Sequence, residues 1–262
     1  MRSLIANKLA AIWKEIGESC LDSPVKHGSK VDAVRQQIYL LQHYPVLLHE
    51  YYLMSSLILE SKWIVPPWKL ISFKCGSAID YDAFYAAACE QDIDIFTYTG
   101  IDEEIWCGQS EVPPNKLKLV RSAASDLPGG ELDEVSLIVF PKSLKSFTSR
   151  DFEAISQQLQ RTDMKRKRLC MAFSASDPES PEYELNRFHS LLEQAARWQK
   201  YRICKEETVH IQTETAFEYA DGRFEYPQKI LAKMREKRVP SSIWPVERLE
   251  HAYMKAVFLE AR

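Results

Sequence analysis

The segment Ser72-Phe73-Lys74-Cys75-Gly76-Ser77-Ala78-Ile79-Asp80 sets a run of small residues between a short apolar stretch and a helical pattern. A strand, a tight turn and a helix N-terminus in that order aim unpaired backbone N–H groups and the positive end of a helix dipole at one point. That arrangement suits the polar part of a nucleotide-like ligand. About twenty residues on, Thr99-Gly100-Ile101-Asp102 closes a second apolar stretch and puts a carboxylate where a ribose would present its hydroxyls. Asp80 falls in the first helical turn, where a carboxylate serves equally as dipole partner and as ligand contact. Asp126 follows a third apolar stretch, and Phe140-Pro141-Lys142-Ser143-Leu144 follows a fourth. The ends of strands in open α/β sheets are where ligands collect, although turn and cap chemistry uses the same residue types.

These residues need elements to hold them. Leu4, Ile5, Leu9, Ile12, Trp13 and Ile16 recur at three- and four-residue steps, the stripe of a helix with one buried face. Turn formers at Asp22-Ser23-Pro24 and His27-Gly28-Ser29 come next, and then a helical stretch over about 31–59 that Pro45 is expected to interrupt. From Trp68 onward short apolar runs alternate with helical patterns, which predicts βα units and a mainly parallel sheet. Strands are expected at 70–73, 93–98, 117–120, 135–140 and 169–173. Helices are expected to begin near Asp80, at the capped start Thr148-Ser149-Arg150-Asp151, and at Ser180-Pro181-Glu182. Residues 228–238 read as a short basic helix between two β segments, 209–219 and 252–260. The chain divides on this reading into a helical cap or lid, 1–66, and an α/β domain, 67–262.

With these elements in place, the stretch from about Trp68 to Phe173 resembles the cofactor region of class I S-adenosylmethionine-dependent methyltransferases, where a glycine-rich turn follows the first strand and an acid ends the second. The resemblance implies an α/β, Rossmann-like methyltransferase fold: a mainly parallel seven-stranded sheet flanked by helices, here with an N-terminal helical extension. It implies S-adenosylmethionine as cofactor, an unidentified acceptor, and in-line attack on the sulfonium methyl. It further implies that Lys74, Cys75, Gly76, Asp80, Asp102, Asp126 and Phe140 meet the cofactor, and that Lys142 and Ser143 lie beside the acceptor. The family's turn carries an acid followed by three alternating glycines; those positions hold Ser72, Lys74, Gly76 and Ala78, so the motif is degenerate. Lys74 is the sharpest departure, because a left-handed backbone there is costly without glycine. A second function class follows from it: a methyltransferase-fold protein without catalysis, serving as an interaction or regulatory subunit. A different nucleotide binder is a third reading, for which Gly76 alone is too little glycine. Residues 140–144 lack the Asn/Asp-Pro-Pro-aromatic pattern of nucleobase-amine methylases, and no cysteine stands as a nucleophile for carbon methylation.

The remaining signals narrow the field. Six cysteines without a CxxC pair, and six dispersed histidines, predict reduced thiols, a cytoplasmic setting and no structural zinc. The apolar stretch between Pro45 and Trp63 holds His49, Glu50 and Lys62, which argues against a bilayer span. A net charge of -3 gives no global attraction to nucleic acid. Lys229, Lys233, Arg235, Lys237 and Arg238 leave a local phosphate contact open beside the plainer reading of a solvated face, whereas Lys165-Arg166-Lys167-Arg168 precedes the fifth strand on its N-terminal side, away from the expected site. His49 beside Glu50 reads as a buried satisfied pair rather than an acid/base couple, and Trp106 and Tyr98 read as core aromatics.

Overall fold

A computed structural model describes residues 2–16, 29–94, 96–104, 106, 116–127, 130–162, 165–212, 228–236, 238, 244, 246 and 249–262. Two helices, α1 (Arg2–Ile16) and α2 (Ser29–Glu60), precede β1 (Trp68–Phe73), α3 (Ile79–Glu90), β2 (Phe96–Asp102) and β3 (Leu117–Arg121). The chain continues with β4 (Leu137–Pro141), α4 (Ser149–Arg161), β5 (Arg168–Ser174), α5 (Glu182–Trp198), β6 (Tyr201–Ile211), α6 (Gln228–Glu236) and β7 (Ala252–Ala261). The strands form one seven-stranded sheet in the order β3-β2-β1-β4-β5-β7-β6. β7 runs antiparallel to β5 and β6, and the other pairs are parallel. This is the Rossmann-like methyltransferase architecture that the alternation and the resemblance predict.

Side-chain parity sorts the core into two layers. Leu70, Leu137, Val139, Cys170, Ala172, Met254 and Phe258 face the cluster built with α1, α2, α3 and α6. Their strand neighbours Ile71, Phe73, Ile138, Phe140, Met171 and Phe173 face the cluster built with α4 and α5. Successive strand residues point to opposite faces, so central strands buried on both sides read as continuous apolar runs.

Several boundaries differ from the sequence reading, each for a local reason. Helix α2 runs through Pro45 without a break; the Gln42 carbonyl, three residues before the proline, accepts the Val246 N–H at 2.9 Å. β2 begins at Phe96 rather than at Ile93, because Asp92 turns left-handed (φ 55°) and the Ile93 N–H returns to the Ala88 carbonyl at 2.9 Å, closing the end of α3. The strand expected at 209–219 lies earlier, as β6, and residues 213–227 fall outside the described part. The capped start at Thr148 is present: its hydroxyl accepts the Asp151 N–H at 3.1 Å while the Asp151 carboxylate receives the Thr148 N–H. Among the described residues no helix is long and apolar enough to cross a membrane.

Candidate active site

The strand order reverses between β1 and β4, and the crevice beyond the carboxyl ends of such neighbouring strands is where doubly wound sheets bind ligands. Beyond β1 the backbone turns left-handed at alternate residues: Lys74 (φ 54°), Gly76 (φ 57°) and Ala78 (φ 59°). The chain therefore keeps an alternating-glycine path with one glycine, at a cost of about 1 kcal/mol for each side chain held there. Compensating bonds fix it. Lys74 and Cys75 N–H both donate to the Ile101 carbonyl, at 2.7 and 3.3 Å, and Ala78 N–H donates to Cys75 O at 2.9 Å. The Gly76 N–H donates to Asp102 Oδ2 at 2.8 Å, and Asp102 Oδ1 accepts the Glu104 N–H at 2.9 Å. Each carboxylate oxygen retains a second lone pair, so Asp102 can still accept hydroxyls.

Close packing supports this turn from below. A Cβ on Gly100 would lie 2.6 Å from Cys75 Sγ and 2.8 Å from Leu119 Cδ2, so only glycine lets β2 approach the turn. Burial, with Asp80 and Asp102 nearby, pushes the Cys75 thiol well up, which leaves it a packing group rather than a nucleophile. The Asp80 carboxylate is 4% exposed and takes the Tyr98 hydroxyl at 2.8 Å. Burial raises its pKa to about 6; the hydroxyls of Ser72 and Tyr98 and its own backbone act the other way, and Asp82 adds to the rise. Asp82, also buried, accepts the Tyr44 hydroxyl of α2 at 2.8 Å.

Beyond β4 stands a second left-handed lysine, Lys142 (φ 49°). Parity would send it with Ile138 and Phe140 toward α4 and α5; the left-handed turn brings its ammonium to α2 instead, 3.0 Å from Glu50 Oε1. Glu50 is 1% exposed and also accepts the Ser174 hydroxyl at the end of β5, while Lys142 Nζ donates to Ala175 O at 2.9 Å. The same face of α2 carries His43 and Tyr39, with ring centroids 4.8 Å apart, and Tyr39 meets Trp106 edge-on at 5.7 Å. Trp106 in turn lies over Gly76, 3.4 Å from where a Cβ would be. Burial and then the Lys142 ammonium hold the His43 imidazole below its ordinary pKa, whereas burial and then Glu50 raise that of Tyr39.

Of the residues singled out from the sequence, Lys74, Cys75, Gly76, Asp80 and Asp102 come together at the turn, and Lys142 stands across the crevice. Phe140 does not: it is fully buried, stacked on Phe73 at 5.5 Å and edge-on to Phe147 and Phe188, on the α4/α5 face. Asp126 sits on an exposed turn beyond β3, with Arg150 at 3.7 Å. The Ser143 hydroxyl is buried, with no hydrogen-bond partner among the described residues. Sequence patterns do not single out Glu50 or the Tyr39–Trp106 contact, and a glycine inside a strand is the signal that points to Gly100. The basic run before β5 is largely neutralised, with Lys165 at 3.9 Å from Asp133, Arg166 at 4.0 Å from Glu134 and Arg168 at 3.3 Å from Glu260.

Lys74 decides whether the turn fits S-adenosylmethionine. Its ammonium bridges the ends of β2 and β4, 3.5 Å from Glu103 and donating to Ser146 O at 3.2 Å. Glu103 is half exposed, and an ion pair that wet contributes about 0 to 1 kcal/mol. A ligand displaces such a side chain at small cost, and the left-handed turn, the helix N-terminus and the Asp102 carboxylate remain. The residues fit the group.

No family model matches the sequence, and no curated protein matches it. Among solved structures, the plantazolicin methyltransferase BpumL, in complex with a monoazolic desmethylPZN analog and SAH, is similar over 89% of this chain and 91% of its own, with 11% identity and a TM-score of 0.47. Magnesium protoporphyrin IX methyltransferase (ChlM) from Synechocystis PCC 6803 with bound SAM is similar over 97% of both chains, with 9% identity and a TM-score of 0.43. A SAM-dependent methyltransferase from Aquifex aeolicus is similar over 78% of this chain and 88% of its own, with 9% identity and a TM-score of 0.40. Likeness at this level transfers no activity, and the functional reading rests on the site.

Proposed function

We propose that the protein is an S-adenosylmethionine-dependent methyltransferase acting on an unidentified acceptor. One observation carries this reading: the backbone beyond β1 is left-handed at positions 74, 76 and 78, and its central N–H is bonded to the carboxylate that ends β2. Bound there, the cofactor supplies an electrophilic methyl group. The chain's own part is to hold and orient. The N-terminus of α3 receives the polar end of the cofactor, and Asp102 accepts the ribose hydroxyls. Asp80 braces the turn from behind through Tyr98, and Lys142, pinned by Glu50, borders the acceptor. Residues 1–66 act as the wall or lid over the strand ends, with α2 excluding water from the reacting pair. Among the described residues Cys75, Cys89, Cys170 and Cys204 are free thiols, in keeping with a cytoplasmic setting.

The Lys74 bridge favours one competing reading, a methyltransferase-fold subunit that binds no cofactor and serves interaction. Calorimetric titration with S-adenosylhomocysteine separates the two. Binding by the native protein, tightened by up to about fivefold in Lys74→Gly as the bridge is removed, is the expected result; an affinity change of that size corresponds to about 1 kcal/mol. No heat from either protein would leave the scaffold reading standing.

A further inference from the structure

We infer that the face of α2 between Trp106 and Lys142 is the acceptor subsite, that it takes an uncharged aromatic hydroxyl compound of the phenol class, and that His43 removes the hydroxyl proton. This rests on the methyltransferase reading above and names its acceptor. Tyr39, His43 and Glu50 fall at i, i+4 and i+11 of one helix, hence on one face, with His43 about 10 Å along the axis from Glu50. At one end of that face Tyr39 touches Trp106, which lies on Gly76 of the cofactor turn; at the other, Glu50 holds Lys142. His43 therefore stands between the methyl donor's cradle and the ammonium.

Three features choose the ligand. The wall is aromatic: Tyr39, His43 and Trp106 are in successive ring contact, which suits a planar ring. Charge is cancelled within the wall, because the Lys142 ammonium is already paired with buried Glu50, so an ionic acceptor gains little. Tyr39 of the same helix is in ring contact with His43, and burial first, then the charge of Lys142 at the end of β4, hold the imidazole below its ordinary pKa, ready to accept a proton. Lys142 spends N–H bonds on Glu50 and Ala175; its third is available to a phenolate oxygen. In the reaction the imidazole nitrogen takes the hydroxyl proton, the oxygen's electron pair forms the O–C bond, and the methyl–sulfur bond breaks with its electrons going to sulfur. The proton on His43 then passes to solvent.

The probe is 4-nitrophenol, whose anion is coloured, titrated into the full-length protein with and without S-adenosylhomocysteine. Bound 4-nitrophenol is expected to ionise about one pH unit below its value in buffer. His43→Gln is expected to abolish most of that shift while S-adenosylhomocysteine binds unchanged. Should the variant not fold, the native shift, and its loss on acidification through the histidine range, still give the answer. Binding of S-adenosylhomocysteine without any 4-nitrophenol shift in the native protein overturns the inference and spares the methyltransferase reading. A 4-nitrophenol shift without binding of S-adenosylhomocysteine overturns the methyltransferase reading and the acceptor role with it. A native shift that survives in folded His43→Gln removes His43 as the base.

Discussion

Two adjacent strands, β1 and β4, end in the same way and to opposite effect. Each is followed by a left-handed lysine, Lys74 or Lys142, and the two side chains are almost equally exposed, at 24% and 22%. They differ in their partners. Lys74 pairs with a half-exposed glutamate, an interaction that water competes for, whereas Lys142 pairs with Glu50 on the buried face of α2. A ligand moves the first with little cost and cannot move the second without stranding a buried carboxylate. The β1 end is thus the adaptable half of the crevice, suited to admitting a cofactor, and the β4 end the fixed half, suited to orienting a second molecule.

Removing the partner on the fixed side is expected to have the largest effect. Glu50→Ala leaves the Lys142 ammonium and the Ser174 hydroxyl without their acceptor, and should cost about 3 kcal/mol in urea unfolding. Glu103→Ala, the matching change on the adaptable side, should fall within about 1 kcal/mol of the native protein. Equal losses from the two would erase the distinction.

Next comes the buried carboxylate behind the turn. The Asp80 pKa is raised in the folded state from 3.8 to about 6, so the folded protein binds more protons than the unfolded chain between those values. The stability linked to Asp80 is therefore complete below pH 4 and declines as pH rises through 6, by about 3 kcal/mol in total. Subtracting the stability profile of Asp80→Asn from the native one should isolate that fall; a flat difference would mean the carboxylate is better solvated than its burial implies. A smaller effect is expected at Gly100→Ala, about 2 kcal/mol, because the new methyl meets Cys75 Sγ and strand β3 at once. Weakened S-adenosylhomocysteine binding should accompany it, since Cys75 belongs to the turn.

The sequence made the alternating layers legible because strands buried on both faces spell themselves as apolar runs, and it made Asp102 and Gly76 legible because strand ends and turns have their own residue chemistry. It did not reveal the Glu50–Lys142 pair. Nothing local tells a helical glutamate that it faces a lysine from a distant strand end, and strand parity alone would put Lys142 on the side from which its positive φ turns it away. Phe140 misled for a related reason: its position at a strand end suggested a ligand, but its parity committed it to the aromatic cluster beneath α4 and α5. Pro45 predicts a break, but α2 continues through it.

In the proposed function the turn beyond β1 and the carboxylate at the end of β2 together hold the nucleoside of S-adenosylmethionine. Titration calorimetry with S-adenosylhomocysteine on the native protein and on Asp102→Asn tests it most directly. Binding by the native protein, weakened about tenfold or more when the carboxylate loses its charge, is the expected result; an absence of binding by the native protein, or equal binding by both, would contradict the account.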